Sequence, residues 1–350
     1  KESSITAELL SMNGGAIYRV GEEIHIGHPG RVVLREIPDN LIARPTLVWL
    51  LGGEGGSGEI EVSYLTSGMG WKADYVALLG ADDRTMDLTG WVTLTNTSGA
   101  GYEDASLKLV AGEVHRVRKE VPYSKMEGEG VMSALSLKAG FAEEPFFEYH
   151  LYTLARRTDL KDNQTKQVEL LRSIDVNLSK EYILPARRVR YGRRSLIGEV
   201  KKEHPIVMVR FKNEEENGLG KPLPAGIFRF YKKDSGGNLQ LVGEDQIDHV
   251  PRGEEITLKL GEAFDIVAER IQTDYDVISK GKVYEYEYRI TLRNAKEEDI
   301  TVRVIEEIPG DWEMLEFTHE PKKEAAHQVS FTVAVAPEKE SVLGFRVRIR

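Results

Sequence analysis

The most unusual chemistry in this sequence lies in one concentrated run of basic side chains. Five arginines stand within eight positions, and Lys201 and Lys202 follow soon afterwards: Arg187, Arg188, Arg190, Arg193 and Arg194. In a chain whose formal net charge is -10, such a run could contact an anionic polymer, lipid headgroups or an acidic partner. The alternative is an edge strand whose cations prevent sheet-to-sheet aggregation, and we favour this alternative.

Templates for hydrolysis and metal binding are not matched. A serine-hydrolase elbow requires Gly-x-Ser-x-Gly, and no such string occurs. The chain has no cysteine, which excludes disulfides, thiolate zinc sites and cysteine nucleophiles. His25 and His28 are too close in a strand-to-turn segment to aim both imidazoles at one ion, and residues 159–165 lack the glycine and terminal Glu of a calcium loop. We therefore predict no catalytic residue, no metal ligand and no cofactor.

Carboxylates and tryptophans leave one enzymatic alternative open. A glycosidase needs two carboxyl groups roughly 5–10 Å apart across a cleft, and Asp or Glu residues near Trp71 and Trp91 could supply them. Solvated turn residues are the favoured interpretation of the carboxylates, and core packing that of the tryptophans. The candidate carboxylates are Asp74, Asp82, Asp83, Glu306, Glu307 and Asp311, and the remaining tryptophans are Trp49 and Trp312.

Residues 53–58 match the glycine-rich dinucleotide-binding pattern letter for letter. That pattern functions only where a helix N-terminus follows the glycines and receives the pyrophosphate. Residues 59–66 instead alternate apolar and polar side chains, which predicts a strand. We therefore reject a nucleotide site here.

The elements that must position these residues are strands. Alternating side chains with turn signals every eight to twelve residues predict an all-β protein of tandem antiparallel β-sandwiches, immunoglobulin-like or fibronectin-like. We predict a hairpin-rich remainder of a truncated domain over 1–45, turning at Asn13-Gly14. A sandwich domain over 46–255, with a flexible insertion near 124–144, and a second sandwich over 256–350 complete the prediction.

One internal echo supports two related sandwiches. The strings Val-Thr-Leu-Thr-Asn, ending at Asn96, and Ile-Thr-Leu-Arg-Asn, ending at Asn294, each finish a predicted strand and lead through a turn into another. The echo is short, so it indicates shared architecture rather than a counted repeat.

Composition narrows the classes of partner. The 350 residues are 41% hydrophobic and 30% charged, as in globular proteins, and no apolar run is long enough to predict a membrane span. The negative net charge argues against a protein that binds nucleic acid through its phosphates. The sequence begins with Lys1, so we expect that a signal peptide has been removed or that a longer N-terminal part precedes it.

Several strings resemble one known family. Residues 61–75, 87–96 and 107–114, with Pro309-Gly310-Asp311-Trp312 later, resemble an uncharacterised bacterial family defined by a domain of unknown function of the DUF4139 type, also found in mucoidy-inhibitor-A-like proteins. The resemblance covers roughly residue 45 to the end. It implies a β-rich fold and a periplasmic or otherwise exported location, and it brings no catalytic residues.

The resulting hypothesis is a non-catalytic binding or structural module of the bacterial cell envelope that acts by surface recognition. Its expected partner is an envelope protein or a polysaccharide, and the sequence does not predict its oligomeric state. A carbohydrate-active enzyme using paired Asp and Glu residues is one alternative. A polyanion-binding module using residues 187–194 is the other.

Overall fold

A computed structural model describes residues 6–11, 16–27, 46, 48, 52, 58–112, 141–186, 198 and 200–350. The chain forms two compact units, residues 1–61 and 62–350. Strands dominate the described residues of both, which confirms the predicted all-β class. No helix in the described ranges is both long and apolar enough to cross a membrane.

The first unit contains one small antiparallel sheet. Its strands are β1 (Glu8–Ser11), β2 (Ile17–Val20) and β3 (Glu23–Ile26), in the order β1-β2-β3. The pairing of β1 with β2 is that of the predicted hairpin, whose Asn-Gly turn lies outside the described residues.

The second unit contains twenty-one further described strands and one short 3-10 helix at Glu215–Asn217. The strands up to residue 184 are β4 (Met69–Leu79), β5 (Thr85–Asn96), β6 (Tyr102–Ala105), β7 (Lys108–Ala111), β8 (Phe141–Phe146), β9 (Tyr149–Leu154), β10 (Thr158–Leu160), β11 (Gln164–Asn177) and β12 (Ser179–Leu184). Those that follow are β13 (Lys201–Glu203), β14 (Ile206–Lys212), β15 (Gly226–Lys233), β16 (Leu239–Ile247), β17 (Glu255–Glu262), β18 (Ile266–Ser279), β19 (Val283–Asn294), β20 (Ile300–Glu307), β21 (Trp312–Phe317), β22 (Lys322–Ala325), β23 (Gln328–Val335) and β24 (Glu340–Ile349).

Two five-stranded sheets organise this unit. The first five-stranded sheet has the order β11-β5-β4-β15-β16, and the second has the order β13-β18-β19-β24-β21. A six-stranded sheet, β17-β14-β12-β20-β23-β22, and a three-stranded sheet, β7-β9-β8, supply partners for packing, and β10 pairs with β6. Most neighbours are antiparallel, whereas β4 pairs with β15 and β12 with β20 in parallel.

Two sandwiches follow from how these sheets bury their apolar faces. In the first sandwich, the inner face of the first five-stranded sheet packs against β7, β8 and β9 at one end and against β14 and β17 at the other. Tyr75 and Phe228 stack within this core with ring centroids 4.4 Å apart. In the second sandwich, the second five-stranded sheet packs against β12, β20 and β23. Along these strands, the side chains that enter the core alternate with side chains on the opposite face of the sheet.

Two buried asparagines shape equivalent corners. Asn96 ends β5 and Asn294 ends β19, with exposures of 0% and 2%. The Nδ2 group of Asn96 donates to the Ala100 carbonyl at 2.8 Å, and that of Asn294 donates to the Glu298 carbonyl, also at 2.8 Å. The two similar strings in the sequence therefore form similar corners in the structure.

Two details differ from the sequence-based expectations. Residues 59–66 form no strand, because their alternation buries no face: Leu65 is 87% exposed and Ile60 is 62% exposed. Residues 141–144, expected to be the end of a flexible insertion, belong to β8 because Phe141 is buried in the core beside β9. The rest of that insertion up to residue 140 lies outside the described residues.

The predicted division at residue 255 stays a prediction. Strands from both sides of it share the six-stranded sheet, since β12 and β14 pair with β20 and β17. Pro251 to Gly253, which indicated a boundary in the sequence, form the turn between β16 and β17.

Candidate binding surface

The outer face of the first five-stranded sheet brings an indole together with charged groups. On β4, Tyr75 points into the core, so its neighbour Asp74 lies on the opposite, outer face. The strand register places Trp91 directly between Asp74 on β4 and Glu169 on β11. Side chains directly opposite one another on one face are neighbours in an antiparallel sheet. The outer face thus presents a half-buried aromatic ring with a carboxylate on each side.

Ion pairs hold the groups beside this ring in place. Asp74 is only 5% exposed, and its Oδ1 accepts a hydrogen bond from the Arg229 guanidinium at 3.1 Å. Its Oδ2 lies 3.5 Å from the Lys72 ammonium and accepts a bond from the Thr93 hydroxyl at 3.5 Å. Arg229 in turn lies 3.4 Å from Glu244 on β16. We call this surface the Trp91 face and define it by Trp91, Asp74, Thr93, Glu169 and Arg229.

The corresponding face of the second five-stranded sheet is built differently. Arg346 on β24 lies 2.7 Å from Asp274 and 2.6 Å from Glu287, and two further carboxylates are within 3.5 Å. Arg293 binds Glu269 through two nitrogens at 2.8 and 3.0 Å. Hydrogen bonding to Asp274 is the largest of the causes that raise the pKa of Arg346. We call this surface the Arg346 face and define it by Arg346, Asp274, Glu287, Arg293 and Glu269. Its arginines form ion pairs with carboxylates of the same face.

The position of Trp91 can be compared directly between the sheets. Trp91 stands five residues before Asn96, and Arg289 stands five residues before Asn294. Arg289 lies between Ile271 and Gly344 on the neighbouring strands, whereas Trp91 lies between two carboxylates. At the position five residues before the corner asparagine, the first sheet therefore has an aromatic ring between two carboxylates, whereas the second sheet has an arginine.

The carboxylates singled out in the sequence lie in separate places. Asp74 is on the Trp91 face, and Asp83 is in the turn between β4 and β5. Asp311, with a 78% exposed side chain, lies 3.8 Å from Arg350. Glu306 is in the core of the second sandwich. These four residues do not form the carboxylate pair of a glycosidase.

Glu306 is the carboxylate with the most altered chemistry. It is 3% exposed and ion-pairs with Arg270 across the second sandwich. Burial raises its pKa to about 7, because desolvation outweighs the attraction of the Arg270 guanidinium. Glu203 lies 3.8 Å from the same guanidinium. The group is enclosed by the core, which favours a structural role.

The remaining sequence candidates separate into two groups. Within the described part of the chain, no cluster of three or more His, Asp or Glu residues could hold a metal ion. Asp159 and Asp162 instead accept backbone N–H bonds from Asp104 and Gly99 at 2.8 and 2.9 Å. The second group lies outside the described residues and stays a prediction: Arg187, Arg188, Arg190, Arg193, Arg194, His28, Trp49 and residues 53–57.

The two other tryptophans among the described residues, Trp71 and Trp312, serve packing. Trp71 packs at the point where the two core clusters of the first sandwich meet. Trp312 packs against the second core and donates to the Ala326 carbonyl at 3.0 Å, with the Lys323 ammonium 5.1 Å from its ring. Thr93, Glu169 and Arg229 were not singled out in the sequence. Alternation around Trp91 could have indicated Thr93, whereas Arg229 required knowledge of a parallel pairing 155 residues away.

Comparison with known proteins gives one match. The family described as a domain of unknown function, DUF4139, matches residues 60–350. No curated protein and no solved structure matches the chain.

Proposed function

This chain belongs to the DUF4139 family, whose description assigns no activity, and we propose that it is a non-catalytic binding module that recognises its partner through the Trp91 face. The observation that supports this proposal is the contrast between equivalent positions on two related sheets. Where the Arg346 face pairs its own charges, the Trp91 face keeps an indole between two carboxylates. Tryptophan combines a large apolar contact area with a hydrogen-bond donor and is enriched at the centres of binding interfaces.

A polysaccharide of the bacterial cell envelope is the partner that we propose. A pyranose ring offers an apolar face to an indole and hydroxyl groups to charged side chains. Glu169 on one side of Trp91, and on the other side Arg229, which is bonded to the buried Asp74, supply such groups. Support for an envelope location comes from the resemblance to a bacterial family with exported members. An envelope protein binding to the same face would be a different outcome of the test below.

The test is co-sedimentation of the purified chain with isolated bacterial peptidoglycan and insoluble envelope polysaccharide. We expect Trp91→Ala to weaken capture roughly thirtyfold, since truncation of a central tryptophan typically costs ~2 kcal/mol. Arg289→Ala is the matched control, because it changes the equivalent position of the Arg346 face. Circular dichroism checks that both variants fold. Equal capture of the two variants would refute the Trp91 face as the binding surface.

The enzymatic alternative is tested in the same assay. Asp74 and Glu169 flank Trp91 from two strands that lie on either side of β5, so their backbones are about 10 Å apart. A carbohydrate-active enzyme would release soluble reducing sugar with time, and Glu169→Gln would abolish that release. Stable capture without release supports a binding module.

The polyanion alternative concerns a different part of the chain. It predicts binding that falls steeply as salt rises and that is lost in an Arg188→Glu/Arg190→Glu variant. Retained capture in that variant at moderate salt would leave the Trp91 face as the explanation.

A further inference from the structure

A cavity of about 250 Å³ lies beside the turn that joins β4 to β5. Its walls come from elements far apart in sequence, among them the ends of β4 and β17, the start of β12 and the turn after β19. Apolar side chains form much of the lining: Leu79, Leu178, Val207, Val209, Val242, Leu260 and Phe264. The polar members are Asp83, Lys180, Tyr182, Lys232, Glu262, Asp265 and Lys296.

Two of the lysines share one carboxylate. The Lys180 ammonium lies 2.6 Å from Asp83 Oδ2, and the Lys232 ammonium hydrogen-bonds Asp83 Oδ1. The side chains of Lys180, Lys232 and Asp83 are only 23%, 33% and 20% exposed. Although burial would raise the pKa of Asp83, the bonds from the two lysines lower it overall. Burial alone would lower the pKa of Lys180, but its hydrogen bond to Asp83 has the larger effect when combined with the nearby charges, so the pKa of Lys180 is raised overall. Asp83 and Lys180 therefore favour their charged forms, and two lysine side chains contact this single carboxylate.

A third lysine, Lys296, lines the same cavity. Lys180 and Lys296 both lie over the Tyr182 ring, with their ammonium groups 5.7 and 5.6 Å from its centroid. The carboxylate paired with Lys296 is that of Glu298, which lies 3.5 Å away and has a 60% exposed side chain. The Asn294 corner fixes this lysine, because the Lys296 backbone N–H donates to Asn294 Oδ1 at 3.0 Å.

The remaining carboxylates of the lining oppose this charge weakly. Glu262 and Asp265 are exposed, so water screens them, whereas the three lysines are two-thirds buried or more. A negative group entering the cavity would therefore be attracted to the lysines. The apolar walls would contact a hydrocarbon portion of the same ligand, as in most small-molecule sites.

We propose that this cavity binds a small amphipathic anion, a carboxylate with a short hydrocarbon chain. The head group would lie near the lysines of the lining, and the chain would lie along Val209 and Leu260. The size fits, because an apolar cavity of about 150 Å³ is known to bind benzene, and this cavity is about 250 Å³. This site is separate from the Trp91 face, and neither proposal depends on the other.

Titration calorimetry with three probes tests the site. Octanoate carries both features, acetate carries the charge alone and octanol carries the chain alone. We expect octanoate to bind at least about tenfold more tightly than either of the others. Lys296→Gln should weaken octanoate about tenfold and leave octanol unchanged, because it removes one charge without touching the Asp83 pairs.

Two further variants make the test decisive. Lys232→Gln should weaken octanoate in the same way, with circular dichroism to verify folding. Lys322→Gln is the control, since its side chain is 75% exposed on β22 and is not part of the cavity lining. Octanoate that binds no better than octanol, or that is unaffected by both Lys296→Gln and Lys232→Gln, would overturn the proposal.

Discussion

Asn96 and Asn294 end strands β5 and β19, and each directs its side chain to the same set of backbone groups. Each Nδ2 donates to the carbonyl four residues ahead, and each Oδ1 accepts from the N–H two residues ahead, at 3.1 and 3.0 Å. Each Nδ2 also contacts two carbonyls of a distant segment that leads into the neighbouring strand, β11 or β24. The two sandwiches thus share one way of turning the chain.

The outer faces of the same two sheets have diverged. The Arg346 face pairs arginines with carboxylates, whereas the Trp91 face combines ion pairs with an indole. Buried corners and cores set the fold, and neither includes the outer side chains. The outer side chains of a sheet can therefore change while the fold is kept, so that one face is suited to a partner and the other to solvent.

Removal of the corner asparagines is the strongest way to test their equivalence. We expect Asn96→Ala and Asn294→Ala each to cost about 4 kcal/mol, because several backbone groups at the corner lose a side-chain partner at roughly 1–3 kcal/mol each. Hydrogen exchange measured on peptides of each sandwich should show the loss first in the sandwich that carries the substitution. Thr95→Ala, at the exposed neighbouring position, is the control. If only one of the two substitutions lowers the free energy of unfolding, the corners are not equivalent.

The stability of the second core should depend on pH, because this core contains the buried carboxyl group of Glu306. Its pKa is raised from 4.5 to about 7 in the folded protein, so the folded state retains a proton that the unfolded state has released. The stabilisation is complete below pH 4.5 and is lost as the pH rises through 7. Relative to Glu306→Gln, the wild-type protein should lose on the order of 3 kcal/mol over this interval.

Urea denaturation of both proteins at a series of pH values measures this difference. Glu307→Gln, at the exposed next residue of β20, should follow the wild-type curve. Parallel curves for the wild-type protein and Glu306→Gln would mean that the Arg270 guanidinium keeps Glu306 ionised throughout.

Much of this fold could be predicted from local pattern. The strands predicted at 71–79 and 86–96 agree with β4 and β5, because apolar side chains on one face of each strand pack into the core. The pattern failed at 59–66, where the same alternation covers no core and Leu65 is exposed. Alternation therefore predicts a strand only when a partner sheet exists, and the partner is not visible locally.

The candidate sites were harder to predict, because they depend on pairings between distant segments. Arg229 reaches Asp74 through the parallel pairing of β15 with β4, and the cavity lysines are at positions 180, 232 and 296. None of these residues has a distinctive neighbour in sequence. Of the carboxylates that were singled out for their type, Asp74 and Asp83 belong to these sites, whereas Asp311 lies apart from both.

The smallest expected effect compares one arginine from each outer face. Arg346→Gln should cost about 1 kcal/mol at low salt, since its 20% exposed side chain pairs most closely with Asp274 and Glu287, whose side chains are 42% and 39% exposed. Arg229→Gln should cost a similar amount, but its partner Asp74 has a side chain that is only 7% exposed. Salt screens exposed pairs far more than buried ones, so the Arg346→Gln cost should shrink at high salt while the Arg229→Gln cost persists. Denaturation of both variants at low and high salt measures this contrast. Equal salt sensitivity would mean that Asp74 is as accessible to ions as the Arg346 face, and that Trp91 stands in an open charged surface rather than beside a fixed, desolvated pair.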